Sequence, residues 1–171
     1  MPTKKGLIRS LSRRGTRSDQ SPPVATKSRG LREPRACERC GAVYSRKTWR
    51  QGRPVTGALL DRAVWTVCPG CRQVGTGEYF GRVLIRGAYA TVNDALIRAR
   101  TQNVAERARF TQPERRIVSM ERSGDTLEVL TTSQKLAHRI ARELQKAFRG
   151  RVSYSWSDRD GTLQAIWERE R

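Results

Sequence analysis

Four cysteines are the residues of this 171-residue chain whose type and spacing most directly suggest chemistry. They fall in two pairs, Cys37-x-x-Cys40 and Cys68-x-x-Cys71, separated by residues 41–67. Two residues between ligands let one tight turn aim both sulfurs at a single point, and four thiolates suit tetrahedral Zn²⁺. Gly41 follows the first pair and Pro69-Gly70 lies inside the second, the small and turn-prone residues that such knuckles need. Alone, Cys37 and Cys40 would fit a redox pair, but that chemistry belongs to a single CxxC beside a βαβ unit. A structural disulfide needs an oxidising compartment. An iron–sulfur cluster also takes four cysteines and stays open on ligand type. A catalytic zinc keeps one coordination position free, whereas four cysteines close the shell. The metal expected here is therefore a Zn²⁺ cofactor acting as scaffold, held by Cys37, Cys40, Cys68 and Cys71.

No other residues assemble into a catalytic set. His138 is the single histidine and is expected in solvent on the polar face of a helix. There is no Ser-His-Asp arrangement, no GxxxxGK[ST] and no GxGxxG. Asp158 and Asp160 belong to an Asp-x-Asp-Gly turn between two strands, which is hairpin chemistry. The reading is of a protein that is not an enzyme, with no catalytic residue and no small-molecule substrate.

Charge supplies the partner. Lys and Arg number 35 against 16 Asp and Glu, a net charge of +19. Such a balance favours polyanions, nucleic acid ahead of an anionic membrane surface. No apolar run approaches the ~18 residues of a membrane span. The basic N-terminus is not followed by the apolar stretch of roughly 7–15 residues that marks a secretory signal, so a cytoplasmic protein without a membrane partner is expected. The candidate nucleic-acid contacts are Lys4, Lys5, Arg13, Arg14 and Arg17 near the N-terminus, then Arg35, Arg39, Arg46, Lys47, Trp49, Arg50 and Arg53 around the first cysteine pair. Trp49 amid arginines can stack on an unpaired base. It can equally pack against the knuckle, because a tiny domain needs every large apolar side chain it has. Arg115-Arg116 and Arg149-Gly150-Arg151 sit at element ends, facing either a polyanion or solvent.

The elements that must position these groups divide the chain into four. Residues 1–34 read as a disordered basic arm, with few apolar residues to offset ordering entropy and Ser21-Pro22-Pro23 against regular structure. Residues 35–90 hold the four-cysteine ribbon, with short strands near 42–45 and 63–67, and a following strand from Tyr79 to Ile85. Residues 91–112 read as a connecting helix with a thin apolar stripe through Leu96, Ala99 or Arg100, Asn103, Val104 and Ala108, started by Thr91 or Asn93 and ended by Pro113. Residues 113–171 read as a ββαββ module. Its strands are Ile117–Glu121, Thr126–Leu130, the Val152/Tyr154/Trp156 alternation and the Leu163/Ala165/Trp167 alternation. Its helix buries Leu136, Ala137, Ile140, Ala141, Leu144 and Phe148, with Thr131 and Gln134 as a capping box and Gly150 beyond its end. The fold class is α+β, a small four-cysteine zinc ribbon followed by a ββαββ module with a connecting helix.

Thr132-Ser133-Gln134-Lys135-Leu136-Ala137, Ile140-Ala141-Arg142-Glu143-Leu144 and Phe148-Arg149-Gly150, placed after two CxxC knuckles, resemble the Nmd-type export adaptor family of the large ribosomal subunit. Short bacterial proteins of the same zinc-plus-αβ layout are also similar, including the Pro113-Glu114-Arg115-Arg116-Ile117 run. The resemblance spans roughly 35–171. It implies a zinc-bearing protein that contacts ribosomal RNA or the large ribosomal subunit. The family's adaptor has more zinc-ligand pairs and further domains, so RNA binding, rather than export, is what carries over. A DNA-binding zinc-ribbon regulator is the alternative reading of the same charge.

Overall fold

The computed structural model describes residues 33–52 and 56–171. Lys4, Lys5, Arg13, Arg14, Arg17 and Arg53 lie outside these residues, as does the expected basic arm apart from Glu33 and Pro34.

The cysteine-bearing half forms a small sheet of three-residue strands: β1 (Arg35–Cys37), β2 (Val43–Ser45), β3 (Thr48–Arg50) and β4 (Val64–Thr66). Their order is β3-β2-β1-β4. β1, β2 and β3 pair antiparallel in sequence, while β4 runs parallel to β1, with Arg35 opposite Val64 and Cys37 opposite Thr66. Strands this short bury little of their own, and the buried cluster beneath them is Cys37, Ala42, Trp49, Cys68 and Cys71. A one-turn helix, α1 (Gly57–Leu60), precedes β4 and buries nothing. The second cysteine pair is not a strand-borne knuckle but the start of a helix, α2 (Pro69–Thr76). Cys68 is its N-cap and Pro69 its first residue, where a missing N–H costs nothing. Gly77, at φ 73°, ends it in the left-handed conformation.

The second sheet has five strands: β5 (Gly81–Arg86), β6 (Ile117–Ser123), β7 (Thr126–Thr131), β8 (Arg151–Ser157) and β9 (Thr162–Glu168). Helices α3 (Ala88–Val92) and α4 (Asp94–Thr111) follow β5, and α5 (Gln134–Phe148) joins β7 to β8. The expected ββαββ order is present as β6-β7-α5-β8-β9, and the fold is α+β as read. β5 departs from its expected place. Grouped by sequence with the ribbon, it is the middle strand of the second sheet, order β6-β7-β5-β9-β8, antiparallel to β7 and parallel to β9. Its Val83-Leu84-Ile85 run is buried on both faces, the pattern of a central strand.

The core lies between this sheet and two helices. Val83, Ile85, Leu127, Val129, Leu163, Ala165 and Trp167 meet Leu136, Ala137, Ile140, Ala141 and Leu144 of α5 and Ile97, Val104, Ala105 and Ala108 of α4. The segment 91–112 is thus a packed layer, not a connector. Its buried stripe is shifted from the expected one, running through Ile97, Thr101, Val104, Ala105 and Ala108 and leaving Leu96 exposed. Small alanines let α4 seat without a conspicuous apolar face. The α5 start also differs from the expected Thr131–Gln134 box: Ser133 Oγ accepts the Leu136 N–H at 3.3 Å. Thr131 is buried instead, its hydroxyl 2.9 Å from the Ser133 carbonyl. A Cβ on Gly81 would lie 2.5 Å from that of Ala137, so glycine is what lets α5 lie on β5.

Candidate metal centre

Each cysteine is placed by local backbone geometry. The Cys37 N–H donates to the Ala42 carbonyl at 2.8 Å, and the Gly41 N–H donates to the Cys37 carbonyl at 2.9 Å. This loop, with Gly41 at φ 69°, turns Cys40 back beside Cys37. The first turn of α2 brings Cys68 and Cys71 to the same side. All four Sγ atoms lie within 4.8 Å of one another. Cys37 and Cys71 are 3.8 Å apart, Cys40 and Cys68 3.7 Å. A tetrahedral centre with metal–sulfur bonds of about 2.3 Å puts its sulfurs about 3.8 Å apart, so the four free thiols fit one ion with every position filled by protein.

Electrostatics among the sulfurs is uneven. Burial opposes a Cys37 thiolate, but N–H groups of Cys68, Arg39 and Cys40 outweigh it and bring the Cys37 pKa down to about 6. Burial pushes Cys68 and Cys71 up. A coordinated cation would deprotonate all four.

Sequence reading placed Arg115-Arg116 toward a polyanion or solvent. Arg116 in fact faces the sulfurs. Its Nη1 donates to Cys71 Sγ and its Nη2 to Cys40 Sγ, both at 3.1 Å, while Nε donates to the Pro113 carbonyl at 2.6 Å. Burial works against its charge, but the Cys40 hydrogen bond and the charges of Cys40, Cys71 and Cys68 hold its pKa above the ordinary value. Four thiolates around a divalent cation carry a net −2, and this guanidinium offsets part of it. Thr132, itself buried, fixes the segment: its Oγ1 accepts the Arg116 N–H at 2.9 Å, and its own N–H donates to the Arg116 carbonyl at 2.9 Å. The only sequence trace of this role is the arginine doublet before β6.

The structure separates the expected nucleic-acid contacts. Trp49 is 6% exposed and packs with the cysteines, its ring 5.4 Å from that of Tyr44. It is part of the ribbon's core, which corrects the base-stacking reading: the ribbon has too few apolar residues to spare it. Arg39, Arg46, Lys47 and Arg50 are exposed, and Arg35 is half-buried in β1. Arg46 and Lys47 form the two-residue turn of the β2–β3 hairpin, both in the left-handed region at φ 51° and 59°. The Glu33 carboxylate accepts their N–H groups at 2.9 and 2.7 Å, with Lys47 the larger influence, and these bonds hold its pKa below the usual carboxylate range. His138 is exposed as expected, and its ring stacks on Tyr154 at 4.9 Å. Tyr154 and Trp156 alternate as expected but stand at the sheet edge, 40% and 61% exposed.

Among the described residues no helix is long and apolar enough to cross a membrane. No family model, curated protein or solved structure matches the chain. Fold and site alone therefore define its class, a four-cysteine ribbon joined to a helix-covered sheet.

Proposed function

We propose that this chain is a cytoplasmic zinc-ribbon protein that binds ribosomal RNA on the large ribosomal subunit, acting by binding and not by catalysis. The observation that carries the reading is the closed sulfur cluster with Arg116 laid against it. Soft, tetrahedral thiolate donors favour zinc, and four of them leave the ion no open position for substrate. The metal then holds the ribbon together, and the ribbon presents Arg39, Arg46, Lys47 and Arg50 at its surface. In a chain of net charge +19, a polyanion is the partner that this surface fits.

The test is sedimentation of the purified chain with ribosomal subunits at low and moderate salt, alongside metal analysis. One zinc per chain and co-sedimentation with the large subunit at low salt support the proposal. With ~6–10 phosphates neutralised, affinity falls by ~10³–10⁵ between 50 and 200 mM salt. Absence of zinc, no association with either subunit, or stronger binding to duplex DNA would overturn it.

A further inference from the structure

We infer that the groove between the β2–β3 hairpin and the start of α5 holds an unpaired segment of single-stranded RNA; this rests on the RNA-binding reading above. The groove is open, about 770 Å³, and is walled by both the ribbon and the second sheet's elements. Three cations from three separate elements line it: Lys47 at the hairpin tip, Arg115 before β6 and Lys135 in the first turn of α5. Glu114 is the one carboxylate among its lining residues. The half-buried rings of Tyr44 and Phe80 line the same groove.

Cations on the walls and rings within are what an unpaired strand uses. Its phosphates take the charges while a freed base lies against an aromatic face, a contact indifferent to base identity. Bases held in a duplex cannot reach such rings. The positive end of the α5 dipole adds to the potential where Ser133 and Lys135 line the groove. The groove is also built to hold its shape. Glu33 fixes the turn bearing Lys47, and Thr132 with Arg116 fixes the chain bearing Arg115. The sulfur cluster thereby sets the distance between two of the three cations.

Fluorescence anisotropy with the full, zinc-loaded chain tests this, using a short unstructured uridine-rich RNA, a fully paired RNA duplex and a DNA copy of the single strand. A groove variant carrying Lys47→Glu, Arg115→Glu and Lys135→Glu is compared with a control of equal charge, Arg107→Glu, Arg139→Glu and Arg159→Glu. Zinc content and circular dichroism establish that both are folded. The expected result is a loss of single-stranded RNA affinity about tenfold greater in the groove variant, with duplex binding reduced equally in both. In the unaltered chain, 4-thiouridine in the strand crosslinks to Tyr44 or Phe80, a readout that needs no variant. Equal losses in both variants with crosslinks elsewhere overturn the groove and leave RNA binding standing. No RNA binding by the unaltered chain overturns both. Equal affinity for the DNA copy overturns the assignment to RNA.

Discussion

The guanidinium of Arg116 lies 3.1 Å from the sulfur of Cys40, a residue 76 positions earlier in the chain. That contact joins the metal centre to the sheet of the second half, because Arg116 is the residue before β6. A metal ion bound there would sit against this half-buried guanidinium, and its release would leave the cation facing uncoordinated thiols. Arg116→Ala is expected to lower metal affinity by ~10–100-fold, the range for groups that support metal ligands without touching the ion. Arg116→Lys keeps the charge but loses the fork that reaches two sulfurs, so it recovers only part of that loss. Competition against a chromophoric chelator measures both, and an unchanged affinity in Arg116→Ala would refute the role.

Metal removal should act on one half of the structure. The ribbon's buried cluster is three of the cysteines with Ala42 and Trp49, whereas the second sheet has its own core around Val83, Ile140 and Trp167. Metal binding to such a site supplies on the order of 10–16 kcal/mol of folding free energy. Chelation should therefore strip hydrogen-exchange protection from β1–β4 and leave it on β5–β9 and α5. Equal loss in both halves would show a single cooperative unit.

Gly70 marks where the halves touch. A Cβ there would lie 2.9 Å from both the Glu114 Cα and the Pro113 carbonyl oxygen, backbone atoms that cannot step aside. Gly70→Ala is expected to cost about 1–3 kcal/mol, as overpacking does, and to weaken metal binding through displaced Arg116. Thermal unfolding with and without chelator checks it: the destabilisation should largely vanish once metal is gone.

Asp94 gives a pH signature. Its carboxylate accepts from Arg122 at 2.5 Å and from Arg98 at 2.7 Å, and the Arg122 bond above all holds its pKa low. A carboxylate depressed on folding stabilises above its unfolded pKa of about 3.9 and loses that contribution as pH falls through the folded value. Asp94→Asn should lower stability at neutral pH by up to about 1 kcal/mol, about 2–4 °C in melting temperature. The gap should hold above about pH 5 and close in stronger acid. A gap independent of pH would assign the effect to shape instead of charge.

What could be read from the sequence was what local chemistry dictates. Cys37, Cys40, Cys68 and Cys71 declare themselves by spacing, and the apolar repeat from Leu136 to Leu144 declares α5. Features set by distant partners were hidden. The centrality of β5 depends on β7 and β9, strands that follow it by dozens of residues. The α4 stripe reads out of phase because alanine and Thr101 bury as readily as leucine and carry no strong signal. Arg116 looks like any solvated arginine until the fold brings the sulfurs to it. Trp49 had two consistent readings, and only burial separates them.

The hairpin tip sets stability against the proposed RNA contact. Two-residue hairpin turns with positive φ at both positions favour Asn-Gly, and this chain has Arg46-Lys47 there instead. A side chain in the left-handed region costs roughly 1–2 kcal/mol, offset in part by the Glu33 carboxylate. Lys47→Gly should accordingly raise the ribbon's stability by about 1 kcal/mol while weakening RNA binding through the lost cation. Glu33→Gln should do the reverse to the fold, loosening the turn and leaving Lys47 in place. Denaturant unfolding and salt titration of RNA affinity, run on the same samples, separate the two effects. If Lys47→Gly stabilises the ribbon and leaves RNA affinity untouched, the strained tip has no part in binding.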